Sequence, residues 1–162
     1  MKFEMDSVEV MSDGVISENQ FGIADMGFIL DLLRNKIYSN IIKACCQEYT
    51  CNARDAHREA GKADVPIVVT LPTALEPTWR CRDFGNSISP DKMVNVFIQY
   101  GASTKRTSNQ FTGGFGIGCK TAFGYGDSFI VNTFINGIAR SYSCVIDDTR
   151  CGKLVLLSEN ET

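Results

Sequence analysis

The sequence predicts an α+β domain: a two-layer sandwich with helices on one face of a mixed, mostly antiparallel sheet. Three observations predict it. A long helical pattern precedes two short strand-like segments, a further helix signal follows them, and three alternating segments close the chain. The 162 residues, 44% hydrophobic and 22% charged, suffice for one globular core, so we expect a single domain over residues 1–162.

The helical layer is predicted mainly from one long periodic segment. Apolar side chains recur at helical spacing over residues 39–60, and Gly61 stands where that helix would end. A shorter helix is predicted over residues 24–34. Ser89 followed by Pro90 is the N-terminal signature of another helix.

The strands are predicted from β-branched or alternating segments bounded by turn residues. Asn136-Gly137 is a strong hairpin signal and joins the two longest of them. The predicted strands cover residues 3–11, 65–71, 78–82, 128–135, 138–146 and 152–157. Between Tyr100 and Gly118 the apolar pattern fades, and a loop of this length in a compact domain is usually functional or disordered.

Composition excludes several classes of protein. A net charge of −3 disfavours non-specific nucleic-acid binding, which requires a basic face. The seven cysteines contain no Cys-x-x-Cys pair and His57 is the single histidine, so a zinc site has few ligands. We find no secretory signal pattern and no apolar run of the ~18 residues that a membrane span requires, and we expect a soluble cytoplasmic domain with reduced thiols.

The first chemistry-bearing motif lies on the long helix. Glu48, Asn52 and Asp55 are spaced i, i+4 and i+7, which places two carboxylates and a carboxamide on one face. A carboxamide oxygen can ligate Mg²⁺, and a carboxylate one turn away can act as a general base. The alternative is an ordinary solvated acidic face.

The second motif is Asp83-Phe84-Gly85, at the end of a predicted strand. It matches a protein-kinase triplet, but in kinases a glycine-rich loop precedes that triplet, whereas here the glycines follow it. The alternative is a plain turn in which Asp83 accepts backbone hydrogen bonds.

The third motif is the glycine-rich segment 113–121, with four glycines in six residues. Such a segment lets backbone N–H groups approach phosphate oxygens. It is not a Walker A loop because Cys119 separates the last glycine from Lys120, and no βαβ unit surrounds it. Taken alone, it is equally typical of a flexible hinge.

Together the three motifs resemble the boxes of the GHKL ATPases, whose nucleotide-binding domain is the Bergerat fold. Gyrase B subunits, the ninety-kilodalton heat-shock chaperone, histidine kinases and MutL belong to that family. The box Glu-x-x-x-Asn-x-x-Asp-Ala is matched by residues 48–56, and Asp-x-Gly-x-Gly by residues 83–87, with Ser87 at the second glycine. The third box resembles residues 114–118.

A closer resemblance, over about residues 21–146, is to the N-terminal domain of bacteriophage rIIA-type lysis-inhibition proteins. It rests on Arg-Asp-Ala-His at 54–57, Cys-Arg-Asp-Phe-Gly at 81–85, the segment 113–120 and the Phe-Gly-Tyr that follows at 123–125. Those proteins are longer, so we expect the chain to correspond to their ATPase domain. The resemblance implies lysis inhibition or protection against exclusion in the cytoplasm of an infected bacterium, with membrane association in the full-length protein.

The resemblance also implies roles for individual residues. Glu48 would be the general base, Asn52 the Mg²⁺ ligand, and Asp55 would line the nucleotide pocket. Asp83 would accept a hydrogen bond from the adenine amino group, and Gly85 would let the backbone pass beneath the base.

The glycine-rich box would wrap the phosphates at a helix start, with a mobile lid at about residues 101–118. Its predicted nucleotide-binding residues are Gly114, Phe115, Gly116, Ile117, Gly118 and Lys120. Lys120 would neutralise phosphate charge, the alternative being a surface lysine. Ser87 in place of a glycine would weaken nucleotide affinity.

The function expected from the resemblance is magnesium-dependent ATP binding with slow ATP hydrolysis, weak in an isolated domain. Expected partners are ATP, a second copy on nucleotide binding, and a downstream domain or a phage or host protein; nucleic acid is not expected. The alternative function is a non-catalytic, nucleotide-switched interaction module. A histidine kinase is disfavoured, because His57 lies beside the first box and no phospho-acceptor hairpin is evident.

Overall fold

The computed structural model describes residue 32 and residues 38–99, 118–148 and 152–162. Over these residues the chain is α+β, with helices and small antiparallel sheets, as the sequence predicts. The strand predicted over 3–11, the loop over 101–117 and most of the helix over 24–34 lie outside the described residues. Leu32, within that last segment, is helical.

The long helix, α1, spans Ile41–Glu59 and confirms the prediction to within two residues at each end. It begins at Asn40, whose Oδ1 accepts a hydrogen bond from the Lys43 N–H at 2.9 Å, a standard N-cap. Ala60 caps the other end, just before Gly61. Arg58, a basic side chain in the last turn, lies where a helix favours positive charge.

Two short strands follow α1. Strand β1 (Val68–Thr70) pairs antiparallel with β2 (Arg80–Arg82), with Val69 opposite Cys81. Both are shorter than predicted. Proline precedes β1 at position 66 and follows it at position 72, and proline cannot donate a hydrogen bond to a strand ladder.

The helix predicted at Ser89 is present but short. Helix α2 spans Pro90–Lys92, and the Ser89 hydroxyl accepts a hydrogen bond from the Lys92 N–H at 3.3 Å. The chain then widens into a π-helical turn over Met93–Phe97, which buries Met93 completely. A 3₁₀ helix follows later, at Gly118–Gly124.

The last three strands form one antiparallel sheet. Strands β3 (Ser128–Ile135), β4 (Ile138–Ile146) and β5 (Gly152–Glu161) lie in that order. The β3–β4 hairpin turns at Asn136 and Gly137, with φ of 53° and 75°, the left-handed conformations that Asn-Gly predicts. Strand β5 runs four residues beyond its predicted end because it continues to pair with β4.

The single mixed sheet that the sequence predicts is not seen among the described strands. These strands form two separate sheets, and every described pairing is antiparallel. The turn after β2 reaches β3 through a side chain: the Phe134 N–H donates to Ser87 Oγ at 2.9 Å. The turn after β2 is therefore linked to β3 by a hydrogen bond to a side chain, and not by the backbone pairing that would join the strands into one sheet.

Aromatic rings join α1 to the three-stranded sheet. The Phe129 ring on β3 lies 6.4 Å from Tyr49 on α1, and 4.9 Å from Phe123, edge to face. Tyr142 and Cys144 on β4 are buried on the same side of the sheet as Phe129. This packing fixes α1 over the sheet and so positions the polar face of the helix.

Candidate functional site

All three residues of the first motif lie on α1, as the sequence predicts. Glu48 and Asn52 are half-buried, and Asp55 is completely buried. Their spacing places them on one helical face. A solvated acidic face would leave all three exposed, so the burial argues against that alternative for this face.

Glu48 lies in a partly desolvated environment. Burial raises the pKa of its carboxyl, because removal from water disfavours the ionised form. Tyr38 is close to it: burial first, and then the negative charge of Glu48, raise the pKa of the Tyr38 hydroxyl. Glu48 therefore holds protons more strongly than an ordinary glutamate, as a general base requires.

The glycine box reaches the first motif at Gly118. A Cβ atom on Gly118 would lie 2.9 Å from the Glu48 Cδ and closer still to Oε2. Real Cβ atoms do not approach this closely, so a side chain at position 118 would force the Glu48 carboxylate to move from where it lies. The first and third motifs, 70 residues apart in sequence, are in direct contact here.

The second motif reaches the first at Gly85. A Cβ atom on Gly85 would lie 2.5 Å from both the carbonyl carbon and the carbonyl oxygen of Ala56, and 2.8 Å from its Cβ. Ala56 follows Asp55 directly on α1. The turn after β2 therefore packs backbone against backbone on the helix that carries Glu48, Asn52 and Asp55.

Asp83 itself is exposed at the end of β2. Its Oδ1 accepts a hydrogen bond from the Gly85 N–H at 2.9 Å, which closes an Asx turn. This is the bond expected of a plain turn, and it leaves the second carboxylate oxygen to serve as an acceptor for another donor. Ser87, two residues beyond Gly85, is tied to Phe134 on β3.

Sequence reasoning missed how this turn is held. His57, predicted to be a packed or surface residue, is packed, with 2% of its surface exposed, and it contacts the turn. Lys62, which drew no attention in the sequence, donates from Nζ to the Phe84 carbonyl at 2.8 Å. Both contacts join residues that are far apart in sequence, so no local pattern predicts them. The only available signal was the position of Lys62, just beyond the end of α1.

The 3₁₀ helix that begins at Gly118 is anchored on α1. The Tyr49 hydroxyl donates to the Cys119 carbonyl at 2.9 Å, and the Cys45 thiol donates to the Thr121 carbonyl at 3.2 Å. Burial raises the pKa of the Tyr49 hydroxyl. The glycine box was expected to open a helix, and its last glycine does begin one, although of the 3₁₀ type. Gly114, Phe115, Gly116 and Ile117 lie outside the described residues.

Lys120 is not a surface lysine. Only 6% of its surface is exposed, and its Nζ donates to the Gln99 carbonyl at 2.6 Å. The predicted contact of Lys120 with phosphate stays a prediction.

A shallow cleft lies against α1, away from the face of the helix that carries Glu48, Asn52 and Asp55, which we call the Glu48 face. It has a volume of about 350 Å³, and it is lined by Thr50, Cys51, Arg54, His57, Ala63, Val65 and Ile67. None of the predicted catalytic, nucleotide-binding or metal-binding residues lines it. We therefore place the candidate site at the Glu48 face rather than in this cleft.

The donor atoms at the Glu48 face suit magnesium. In the part of the chain that the structure describes, no three His, Cys, Asp or Glu side chains stand together as a metal cage. Mg²⁺ rarely uses such a cage, since it binds through one or two protein oxygens together with substrate phosphates and water. The amide oxygen of Asn52, one helical turn from Glu48, is a ligand of that kind.

No protein-family model matches this chain, and no curated protein matches it. Among the described helices, none combines the length and the apolar character that crossing a bilayer requires. The contacts that α1 makes with the two glycine-containing motifs are therefore the structural observations on which a function can be proposed.

Proposed function

We propose that the chain is a GHKL-type ATP-binding domain that binds ATP with magnesium and hydrolyses it slowly. One observation carries the proposal: α1 places Glu48 against Gly118 and Ala56 against Gly85. Two segments that are far apart in sequence thus meet on one helix. That arrangement suits a nucleotide with its base near Asp83 and its phosphates near Gly118.

The two-layer Bergerat sandwich is part of this proposal. It is supported by the α+β architecture, by the antiparallel strands and by the ring contacts that fix α1 over β3. The lid at residues 101–118 and the phosphate contacts of residues 114–117 belong to the proposal as well.

Glu48 would perform the proton transfer. Its carboxylate would accept a proton from the water that attacks the terminal phosphorus; the bond between that phosphorus and the bridging oxygen breaks, leaving ADP and inorganic phosphate. Partial burial supports this role, because a carboxylate with a raised pKa is a stronger base.

Asn52 would hold magnesium, with its amide oxygen as the protein ligand. When bound, the ion neutralises phosphate charge. Asp83 would accept the hydrogen of the adenine amino group with the carboxylate oxygen that the Gly85 N–H does not use. Asp55, buried on the same face of α1, would line the pocket.

The biological setting follows from the sequence resemblance alone. We propose that this activity serves lysis inhibition or protection against exclusion, as in rIIA-type proteins, in the cytoplasm of an infected bacterium and near its membrane. Nucleotide would drive lid closure and pairing with a second copy. Nucleic acid is not a proposed ligand.

Turnover by a Glu48→Ala variant tests the catalytic part of the proposal. We expect ATP hydrolysis to fall by about 10²–10⁴-fold, the usual contribution of a general base, while ATP still binds. Glu59→Ala is the matched control, since Glu59 is an exposed glutamate on the last turn of the same helix. Unchanged hydrolysis in Glu48→Ala would refute the role of Glu48.

The alternative is a non-catalytic module that uses bound nucleotide as a switch. The Lys120 contact favours it, because the ammonium group is directed at the Gln99 carbonyl. Because one of its three N–H donors is on that carbonyl and only 6% of its surface is exposed, Lys120 has less capacity to stabilise charge on phosphate during hydrolysis. ATP binding with no hydrolysis above background in the unmodified chain would establish this alternative.

A further inference from the structure

His57 is a buried histidine with a partner for each ring nitrogen. It is 2% exposed; Nδ1 lies 2.9 Å from the Val65 carbonyl oxygen and Nε2 lies 2.7 Å from the Phe84 amide nitrogen. A carbonyl oxygen can only accept and a backbone N–H can only donate, so Nδ1 carries the hydrogen and Nε2 accepts. The partners therefore select one neutral tautomer of the ring.

The peptide groups of Phe84 are held from two sides. Its N–H donates to His57, and its carbonyl accepts from Lys62 Nζ at 2.8 Å. The rings of His57 and Phe84 also lie 6.2 Å apart, and the Arg82 guanidinium lies 5.1 Å above the Phe84 ring. Asp83 precedes this clamped residue directly, so its backbone has little freedom.

The Asp83 carboxylate has much less support of its own. Asp83 is exposed, and its described hydrogen bond is the Asx-turn contact with Gly85. The direction in which the carboxylate points is consequently set by the backbone on either side of it. That backbone is fixed to α1 by His57, by Lys62 just beyond the helix end, and by the packing of Gly85 on Ala56.

We propose that His57 and Lys62 are positioning residues for Asp83, and that by clamping Phe84 they set the preference of the site for a base with an exocyclic amino group. The inference rests on the proposed function. In this role neither residue would contact the nucleotide itself. Each acts on the Asp83 carboxylate. That carboxylate would distinguish a base with an amino group, which can donate a hydrogen bond to it, from a base with a carbonyl group, which cannot.

The test compares two nucleotides on the full chain by calorimetric titration. ADP carries the amino group, and inosine diphosphate has a carbonyl in its place. We expect His57→Leu to weaken ADP binding about tenfold and Lys62→Met about threefold, the scale of one or two lost hydrogen bonds, while inosine diphosphate binding is unchanged. A general loss of folding would weaken the binding of both nucleotides to the same extent.

Rescue and control variants complete the test. His57→Gln should restore ADP binding to within about twofold, because one amide can donate to Val65 and accept from Phe84. Lys62→Met keeps the inference testable if His57→Leu does not fold, since Lys62 is exposed. Lys43→Met, an exposed lysine on the first turn of α1, should bind both nucleotides as the unmodified chain does.

The outcomes separate the two proposals. The positioning role would be overturned, with the nucleotide site left in place, by either of two results. One is that Lys62→Met weakens the binding of both nucleotides equally; the other is that neither variant weakens the binding of ADP. An unmodified chain that binds neither nucleotide would overturn the proposed function and this inference with it.

Discussion

Gly85 and Gly118 both lie against α1, but they meet different kinds of atoms. A Cβ on Gly85 would collide with the backbone of Ala56, whereas a Cβ on Gly118 would collide with the end of the Glu48 side chain. Helix backbone cannot move without breaking its hydrogen bonds, but a carboxylate can rotate away. The first glycine is therefore required for the turn to pack on the helix, and the second for the placement of one reactive group.

Gly85→Ala is expected to have the largest effect on stability. Overpacking against a rigid backbone costs up to about 3 kcal/mol, so the midpoint of urea unfolding should fall clearly. Gly126→Ala is the matched control, because a Cβ there would meet no atom within 4 Å, and we expect a change within about 0.5 kcal/mol. Equal unfolding midpoints for the two variants would show that Gly85 has more room than the structure gives it.

Gly118→Ala should separate activity from stability. The added methyl group would push the Glu48 carboxylate aside, and a displacement of about 1 Å can lower turnover roughly 10²-fold. The free energy of unfolding should change by less than about 1 kcal/mol, because the carboxylate can rotate. Steady-state hydrolysis and urea unfolding measure the two quantities. Full activity in this variant would show that the contact with Gly118 does not set the position of Glu48.

The raised pKa of Glu48 predicts a pH dependence with a definite sign. Ionisation of the Glu48 carboxyl is less favourable in the folded chain than in the unfolded chain. Folding stability therefore falls as the pH rises from about 4, where an ordinary glutamate ionises, to above the raised pKa of Glu48. Glu48→Gln cannot ionise, so it should be more stable than the unmodified chain above that range and equal to it below.

Thermal unfolding of both proteins across this pH range measures the difference, which should be smaller than the Gly85 effect. A lower melting temperature for Glu48→Gln at neutral pH would contradict the desolvation of Glu48. The hydrolysis rate should fall as pH drops through the same raised pKa, because the protonated carboxyl cannot accept a proton from water.

Ser87 should have a modest effect on stability. Ser87→Gly removes the acceptor for the Phe134 N–H and should lower stability by about 1 kcal/mol, the typical value of one hydrogen bond. Ser87→Ala removes the same acceptor without adding backbone freedom, so it should cost slightly less. If Ser87→Gly also binds ATP more tightly, the serine weakens nucleotide affinity, as its place in the second motif predicts. Unchanged affinity would show that Ser87 serves only to link the turn to β3.

Local signals predicted the elements that local interactions form. The N-cap at Ser89, the end of α1 before Gly61 and the Asn136-Gly137 hairpin each depend on a few neighbouring residues, and each is present. The helical spacing of Glu48, Asn52 and Asp55 was predictable for the same reason.

Contacts between distant segments were not predictable in this way. The clamp of His57 and Lys62 on Phe84 joins residues 22 to 27 positions apart, and no periodicity marks it. The burial of Lys120 depends on the Gln99 carbonyl, which the sequence does not place nearby. The separation into two sheets likewise depends on pairing between distant strands, which propensity does not determine.

Calorimetric titration of the chain with a non-hydrolysable ATP analogue, with and without magnesium, tests for a nucleotide site on α1. We expect binding that strengthens with magnesium and weakens at least about tenfold in Asp83→Asn, where an amide replaces the accepting carboxylate. No binding at millimolar analogue, or binding that neither magnesium nor Asp83→Asn alters, would contradict a nucleotide site built on α1.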